Sequence, residues 1–251
     1  MKNYALIGRH LGHSFSQRWF ETLFAQLGLS GYTYRLAEMP DLDGLRQWVA
    51  DNRISGFNVT VPYKQSVMSL LDAVDATAAA VGAVNCVTVE DGRLVGHNTD
   101  CQAFRETFRE ALPVPHTALQ GEVLVLGTGG AARAVAYALG ELGIKYLFVS
   151  RHPDQHRNAI SYDEAADRLQ AQEATVIVNA TPVGMFPDSE TSPWPRTDLL
   201  ANAVLVYDLV YNPSPTLLMR QAAASGVPAV DGLAMLHRQT ELSWQHFQNA
   251  R

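Results

Sequence analysis

The run Val123-Leu124-Val125-Leu126 passes directly into Gly127-Thr128-Gly129-Gly130-Ala131-Ala132, a G-x-G-x-x-A spacing, and then into an alanine-rich stretch that ends near Gly143. A short apolar strand, a glycine turn and a helix start in this register form the context that a dinucleotide-binding βαβ unit requires. Glycine allows the tight turn and a close approach to pyrophosphate. The amides and dipole at the helix start favour phosphate charge, and Ala132 lets helix pack closely on strand. Gly127, Thr128, Gly129, Gly130 and Ala131 are therefore candidate dinucleotide-contacting residues. Glycine turns also end strands that bind nothing, so the weight rests on strand, loop and helix standing together.

The next apolar segment, residues 146–149, ends in Ser150-Arg151-His152. An NAD site often places a carboxylate here for the ribose hydroxyls, whereas arginine suits the extra 2′-phosphate of NADP. Ser150 and Arg151 join the candidate set, with NADP as the expected cofactor. The bland alternative is an arginine in a solvated, charged loop.

Strand and helix patterns alternate along the rest of the chain. Residues 4–7, 32–36 and 56–61 read as strands, the last stopped by Pro62, with helices over 20–27 and 42–51 between them. Residues 75–81 read as a helix, and 84–90 with 93–97 as a hairpin across Asp91-Gly92. A helix over 101–112 leads to the connector Pro113-Val114-Pro115, and a domain boundary fits in or just before that helix. Beyond it, strands at 122–126, 146–149, 176–178 and 204–209 alternate with helices at 131–142 and 165–170, which spells a doubly wound parallel sheet. A final helix is expected over 235–247. At 251 residues the chain exceeds the roughly 100–200 of one domain, so two are expected.

Composition narrows the function classes. A hydrophobic share of 47% with 18% charged residues supports a packed core. A net charge of −6 lacks the basic footprint of a nucleic-acid binder, although local cations and helix starts still hold small anions. Cys86 and Cys101 form no disulfide framework or Cys-x-x-Cys motif. No apolar run reaches the roughly 20 residues of a membrane span, so no membrane partner and a cytoplasmic location are expected. His10, His13, His97 and His237 have no metal-triad spacing, and no metal is expected.

Further motifs surround the glycine loop. They are Gly12-His13-Ser14-Phe15-Ser16, Asn58-Val59-Thr60-Val61-Pro62-Tyr63-Lys64, Gly82-Ala83-Val84-Asn85 and Gly96-His97-Asn98-Thr99-Asp100. Asn179-Ala180-Thr181-Pro182-Val183-Gly184-Met185, Asp208-Leu209-Val210-Tyr211-Asn212-Pro213 and Gly232-Leu233-Ala234-Met235-Leu236 follow, with Gln239 close behind. In this order they resemble the NADP-dependent shikimate dehydrogenase family over nearly the whole chain. The resemblance implies an α/β fold of two domains: a substrate domain at 1–103, with 233–251 returning to pack on it, and a Rossmann-type NADP domain at 104–232.

It also implies reversible, NADPH-dependent reduction of 3-dehydroshikimate to shikimate in chorismate and aromatic amino acid biosynthesis. Ser14, Ser16, Thr60, Lys64, Asn85, Asp100, Tyr211 and Gln239 become the expected substrate residues, and Thr181, Leu209 and Gly232 join the cofactor set. Lys64 is expected to give a proton or hydrogen bond to the developing alkoxide, and Asp100 to orient Lys64 and the substrate hydroxyls. Outside the motifs, Lys64 and Asp100 would read as an ordinary surface ion pair worth roughly 0–1 kcal/mol. The chain departs from the family pattern with Gln17 for proline, Cys86 for threonine, Ala103 for glycine, and Ser150-Arg151-His152 where Asn-Arg-Thr is usual. The rivals are a quinate/shikimate dehydrogenase preferring NAD, a non-catalytic NADP-binding regulator, and a methyltransferase sharing the doubly wound sheet. Either a monomer or a homodimer is compatible with the pattern.

Overall fold

A computed structural model describes residues 1–12 and 14–250, so His13 of the first serine motif lies outside the described residues. The chain forms two compact units, Met1–Thr99 with the stretch from His237 onward, and Asp100–Leu236. The sequence reading places these divisions at 103/104 and 232/233. Both structural breaks fall at or inside helices, where composition changes little.

In the first unit, β1 (Lys2–Gly8), α1 (Ser16–Gln26), β2 (Tyr32–Glu38), α2 (Leu45–Asp51), β3 (Ile54–Val59), β4 (Ala73–Val74), α3 (Ala76–Val81), β5 (Cys86–Glu90) and β6 (Arg93–His97) build a mixed sheet ordered β2-β1-β3-β5-β6-β4. β1 runs parallel to β2 and β3, and β5 antiparallel to β3 and β6. The period-2 alternation of β1 divides the core: Ala5 and Ile7 face one apolar cluster, while Tyr4 and Leu6 face an aromatic one with Phe20, Phe24, Trp244 and Phe247. Trp244 and Phe247 belong to the C-terminal helix. Phe247 stacks on Tyr4 with ring centroids 4.7 Å apart, and a Cβ on Gly56 would lie 2.6 Å from its ring.

Helix α1 begins four residues before the apolar periodicity at Phe20, because Ser16-Gln17-Arg18 adds no apolar stripe. β3 stops at Val59 rather than 61. The Thr60 amide still bonds the Ile7 carbonyl at 2.9 Å, but the Tyr63 amide turns back to the Thr60 carbonyl, also at 2.9 Å. Asp75 caps α3 by accepting the Ala78 amide at 2.7 Å.

The second unit holds α4 (Asp100–Ala111), β7 (Glu122–Leu126), α5 (Gly130–Glu141), β8 (Tyr146–Val149), β9 (Ala159–Ile160), α6 (Tyr162–Gln170), β10 (Ala174–Asn179), β11 (Leu205–Asp208), α7 (Leu217–Ala224), β12 (Ala229–Val230) and the start of α8 (Leu233–Asn249). Its sheet is parallel throughout and ordered β12-β11-β10-β7-β8-β9. Strand order reverses between β7 and β10, the switch point at which doubly wound sheets hold ligands beyond the carboxyl ends of their strands. The two-residue strands β9 and β12 are too short to show a period, and α7 is also additional to the sequence reading. Among the described residues, no helix is long and apolar enough to cross a membrane, and no group of His, Cys, Asp and Glu could hold a metal ion. Both cysteines are buried, and burial, with Glu141 nearby, pushes the Cys101 thiol up to about 12.

Candidate active site

In the second unit the glycine loop lies at the switch point. Gly127 has φ +100°, a region favouring glycine, and a Cβ there would lie 2.9 Å from the Thr181 side chain. Its amide bonds the Val149 carbonyl at 3.0 Å, and the Ala180 amide bonds the Leu126 carbonyl at 3.0 Å, so the ends of β8 and β10 flank the loop. A Cβ on Gly129 would meet only open space, and no side chain caps the amides that start α5. Bare amides at a helix start beside room for a ligand fit a pyrophosphate. Thr128 Oγ1 lies 3.2 Å from His156 Nε2, tying the loop to the segment after β8. Arg151 stands exposed in that segment, and Ser150 Oγ accepts the His152 amide at 3.1 Å.

Thr181, Leu209 and Gly232 gather through a network that sequence reasoning left unassigned. Asp208, fully buried at the end of β11, accepts Asn179 Nδ2 at 2.8 Å, the Val210 amide at 3.0 Å and Thr216 Oγ1 at 2.7 Å. Asn179 Oδ1 in turn accepts the amide and hydroxyl of Thr181, at 3.0 and 2.7 Å. The Leu209 amide bonds the Asn179 carbonyl, and a side chain on Gly232 would run into the Leu209 backbone. Burial pushes the Asp208 carboxyl up to about 6, against the pull of its three donors. A local signal for part of this existed: Thr216 before Leu217-Leu218-Met219 is a helix cap, and it accepts the Met219 amide at 3.2 Å. Tyr211 is half-buried beyond β11, and burial raises its phenol.

In the first unit the expected substrate residues come from separate stretches. Ser14 Oγ accepts the Ser16 amide at 3.3 Å at the start of α1. Thr60 and Lys64 occupy the turn after β3, where the Lys64 carbonyl accepts the Val84 amide at 2.7 Å. A Cβ on Gly8 would come within 2.6 Å of the Thr60 methyl, so glycine makes room for that threonine. Asn85 is buried, its Oδ1 accepting the Thr99 amide at 2.7 Å and its Nδ2 donating to Thr99 Oγ1 at 2.9 Å and to Gln239 Oε1 at 3.4 Å. Asn85 and Gln239, 154 positions apart, thus form one polar cluster. Asp100, buried at the first turn of α4, follows Thr99 directly but belongs to the second unit.

A doubly wound unit with uncapped amides at the helix start after its glycine loop, and a mixed-sheet unit carrying clustered amides and hydroxyls, define the architecture of a two-domain dinucleotide-dependent oxidoreductase. The family profile described as the shikimate dehydrogenase substrate binding domain matches residues 6–87. The NADP(+) shikimate dehydrogenase of Shouchella clausii is 36% identical, covering 98% of this chain and 92% of its own length. The crystal structure of shikimate dehydrogenase 1 from Peptoclostridium difficile superposes with a TM-score of 0.87 at 33% identity, covering 100% of this chain and 93% of that one. Shikimate 5-dehydrogenase from Thermus thermophilus, solved with NADP(H) and shikimate, gives 0.85 at 34% identity, with 98% and 93% covered. The chain belongs to the shikimate dehydrogenase family.

Proposed function

We propose that this chain reversibly reduces 3-dehydroshikimate to shikimate with NADPH, and that the residues above do so in the roles that follow. The observation carrying the reading is the Asn85–Gln239 cluster, whose groups both donate and accept as recognition of a ring polyol requires. Ser14 and Ser16 offer hydroxyls to the substrate carboxylate, and Thr60 and Tyr211 border the ring. When bound, NADPH supplies the hydride. Lys64 donates a proton to the carbonyl oxygen as it becomes the C3 hydroxyl, its positive charge acting where the alkoxide develops. Asp100 accepts from substrate hydroxyls. The amides of Gly129, Gly130 and Ala131 hold pyrophosphate, and Thr181, Leu209 and Gly232 shape the remainder of the cofactor site.

The test is cofactor absorbance with shikimate or quinate, each with NADP or NAD. Strong turnover of shikimate with NADP supports the reading, efficient turnover of quinate with NAD moves it to the sister activity, and cofactor binding without turnover points to a regulator. Ser150 and Arg151 serve the 2′-phosphate. Charge-assisted hydrogen bonds are worth about 2 kcal/mol, so Arg151→Ala is expected to raise the KM for NADP about 30-fold. The KM for NAD should stay within about twofold. An equal rise for both cofactors would remove Arg151 from phosphate recognition.

A further inference from the structure

The substrate amides of the first unit rest on a buried relay that ends on α8. Ser243, fully buried, donates its hydroxyl to the Gln239 carbonyl at 2.8 Å and accepts Asn58 Nδ2 at 2.8 Å. Its oxygen also lies 3.3 Å from Thr99 Oγ1, the atom that accepts Asn85 Nδ2. Asn58, a lone amide in an otherwise apolar strand end, gives its second Nδ2 hydrogen to the Asn85 carbonyl at 3.1 Å and accepts Tyr34 Oη at 2.9 Å. Burial raises the Tyr34 phenol well above its ordinary range, so it stays a donor.

The hydrogens can be counted. Asn58 spends both amide hydrogens and its carbonyl inside the relay. Ser243 has one hydrogen, spent on Gln239, and its lone pairs receive Asn58 and face Thr99. Thr99 fixes Asn85 from its amide and its hydroxyl. Gln239 Oε1 receives Asn85, and its Nε2 gives one hydrogen to Thr240 Oγ1 at 2.8 Å, leaving the other unspent within the relay. Buried hydrogen-bond networks of this kind hold side chains in one arrangement. One serine on α8 therefore touches β3 through Asn58, the strand exit through Thr99 and its own helix at Gln239.

We infer that Ser243 is a positioning residue for substrate recognition. It touches no reacting atom, and it sets the orientation of Asn85 and Gln239, which read the substrate hydroxyls. This rests on the shikimate reading above. Ser243→Ala removes the acceptor for Asn58 and frees Thr99 to rotate, so Asn85 and Gln239 lose their common frame. The KM for shikimate should rise about tenfold, with kcat within about twofold and NADP affinity unchanged. Tyr34→Phe, which only frees the far end of Asn58, should raise that KM about threefold.

The deciding experiment is a cycle of steady-state measurements on wild type, Ser243→Ala, Asn85→Ala and the double variant, with NADP affinity from nucleotide fluorescence confirming folded protein in each. If Ser243 acts through Asn85, Ser243→Ala adds less than about threefold to the KM in the Asn85→Ala background. An undiminished tenfold addition there, a loss confined to kcat, or an unchanged KM in both Ser243→Ala and Tyr34→Phe would overturn the inference. Should Ser243→Ala not fold, the Tyr34→Phe KM decides alone. Wild type that fails to oxidise shikimate would instead overturn the functional reading, which separates the two failures.

Discussion

Turnover of shikimate is expected to fall about a thousandfold in Lys64→Ala, with NADP binding intact. The backbone at Lys64 is anchored independently of its side chain, because its carbonyl accepts the Val84 amide at 2.7 Å and the next residue back, Tyr63, donates its phenol to the Met39 carbonyl at 2.6 Å. Truncation should therefore remove the ammonium and leave the turn in place. The residues proposed for the cofactor lie in the other unit, so nucleotide fluorescence titration should report an unchanged affinity. Retention of more than a tenth of wild-type turnover would remove Lys64 from the chemistry. Lys64→Arg then separates its two roles. Arginine keeps the charge but scarcely releases a proton, so recovery of at least tenfold over Lys64→Ala assigns charge stabilisation, while equal loss in both assigns proton transfer.

Much of this architecture was legible because it is local. The strand 123–126 and the glycine loop are consecutive, and Gly127 has the positive φ that its place in the motif requires. Arg151 could be placed because β8 follows β7 in both chain and sheet. What stayed illegible is long-range or very short. Ser243 reads as one more polar helix residue, and only folding brings it to Asn58, 185 positions away. β9 and β12, at two residues each, offer no period, and α1 starts in Ser16-Gln17-Arg18, three polar residues that add nothing to an apolar stripe. The quoted segments containing Asn179 and Asp208 were legible as family motifs, yet their mutual hydrogen bond depends on β10 and β11 being neighbours in the sheet. Local pattern locates a loop, whereas the hydrogen bonds that stiffen it are set by strand order.

That network carries the largest expected effect on stability. Asp208→Ala orphans the Asn179 amide, the Val210 amide and the Thr216 hydroxyl, all on buried residues, at about 1–3 kcal/mol for each unpaired group. Partial relaxation brings the expected total to about 4 kcal/mol, a fall in Tm of roughly 10 °C. Asp208→Asn should behave differently. It keeps the shape and one acceptor, and the Thr216 hydroxyl can turn to receive the new amide, so most of the stability survives. Its signature lies in pH. Burial raises the folded Asp208 from 3.8 to about 6, so the folded protein holds the proton more tightly than the unfolded chain. The favourable contribution is fully present below pH 3.8 and is lost as pH rises through about 6. Two pKa units correspond to about 3 kcal/mol. Wild type should therefore lose about that much relative to Asp208→Asn between pH 4 and pH 7, a difference that cancels the opposing slopes of the carboxyls held low at Asp72, Asp75, Glu164 and Asp198. Urea unfolding of both proteins across this range measures it. Parallel curves would mean that Asp208 is already ionised in the fold at pH 4, with its three donors outweighing its burial. A gap that opens through pH 5 and 6 would show the loops bearing Thr181 and Leu209 hinging on a carboxylate that the fold strains to keep charged.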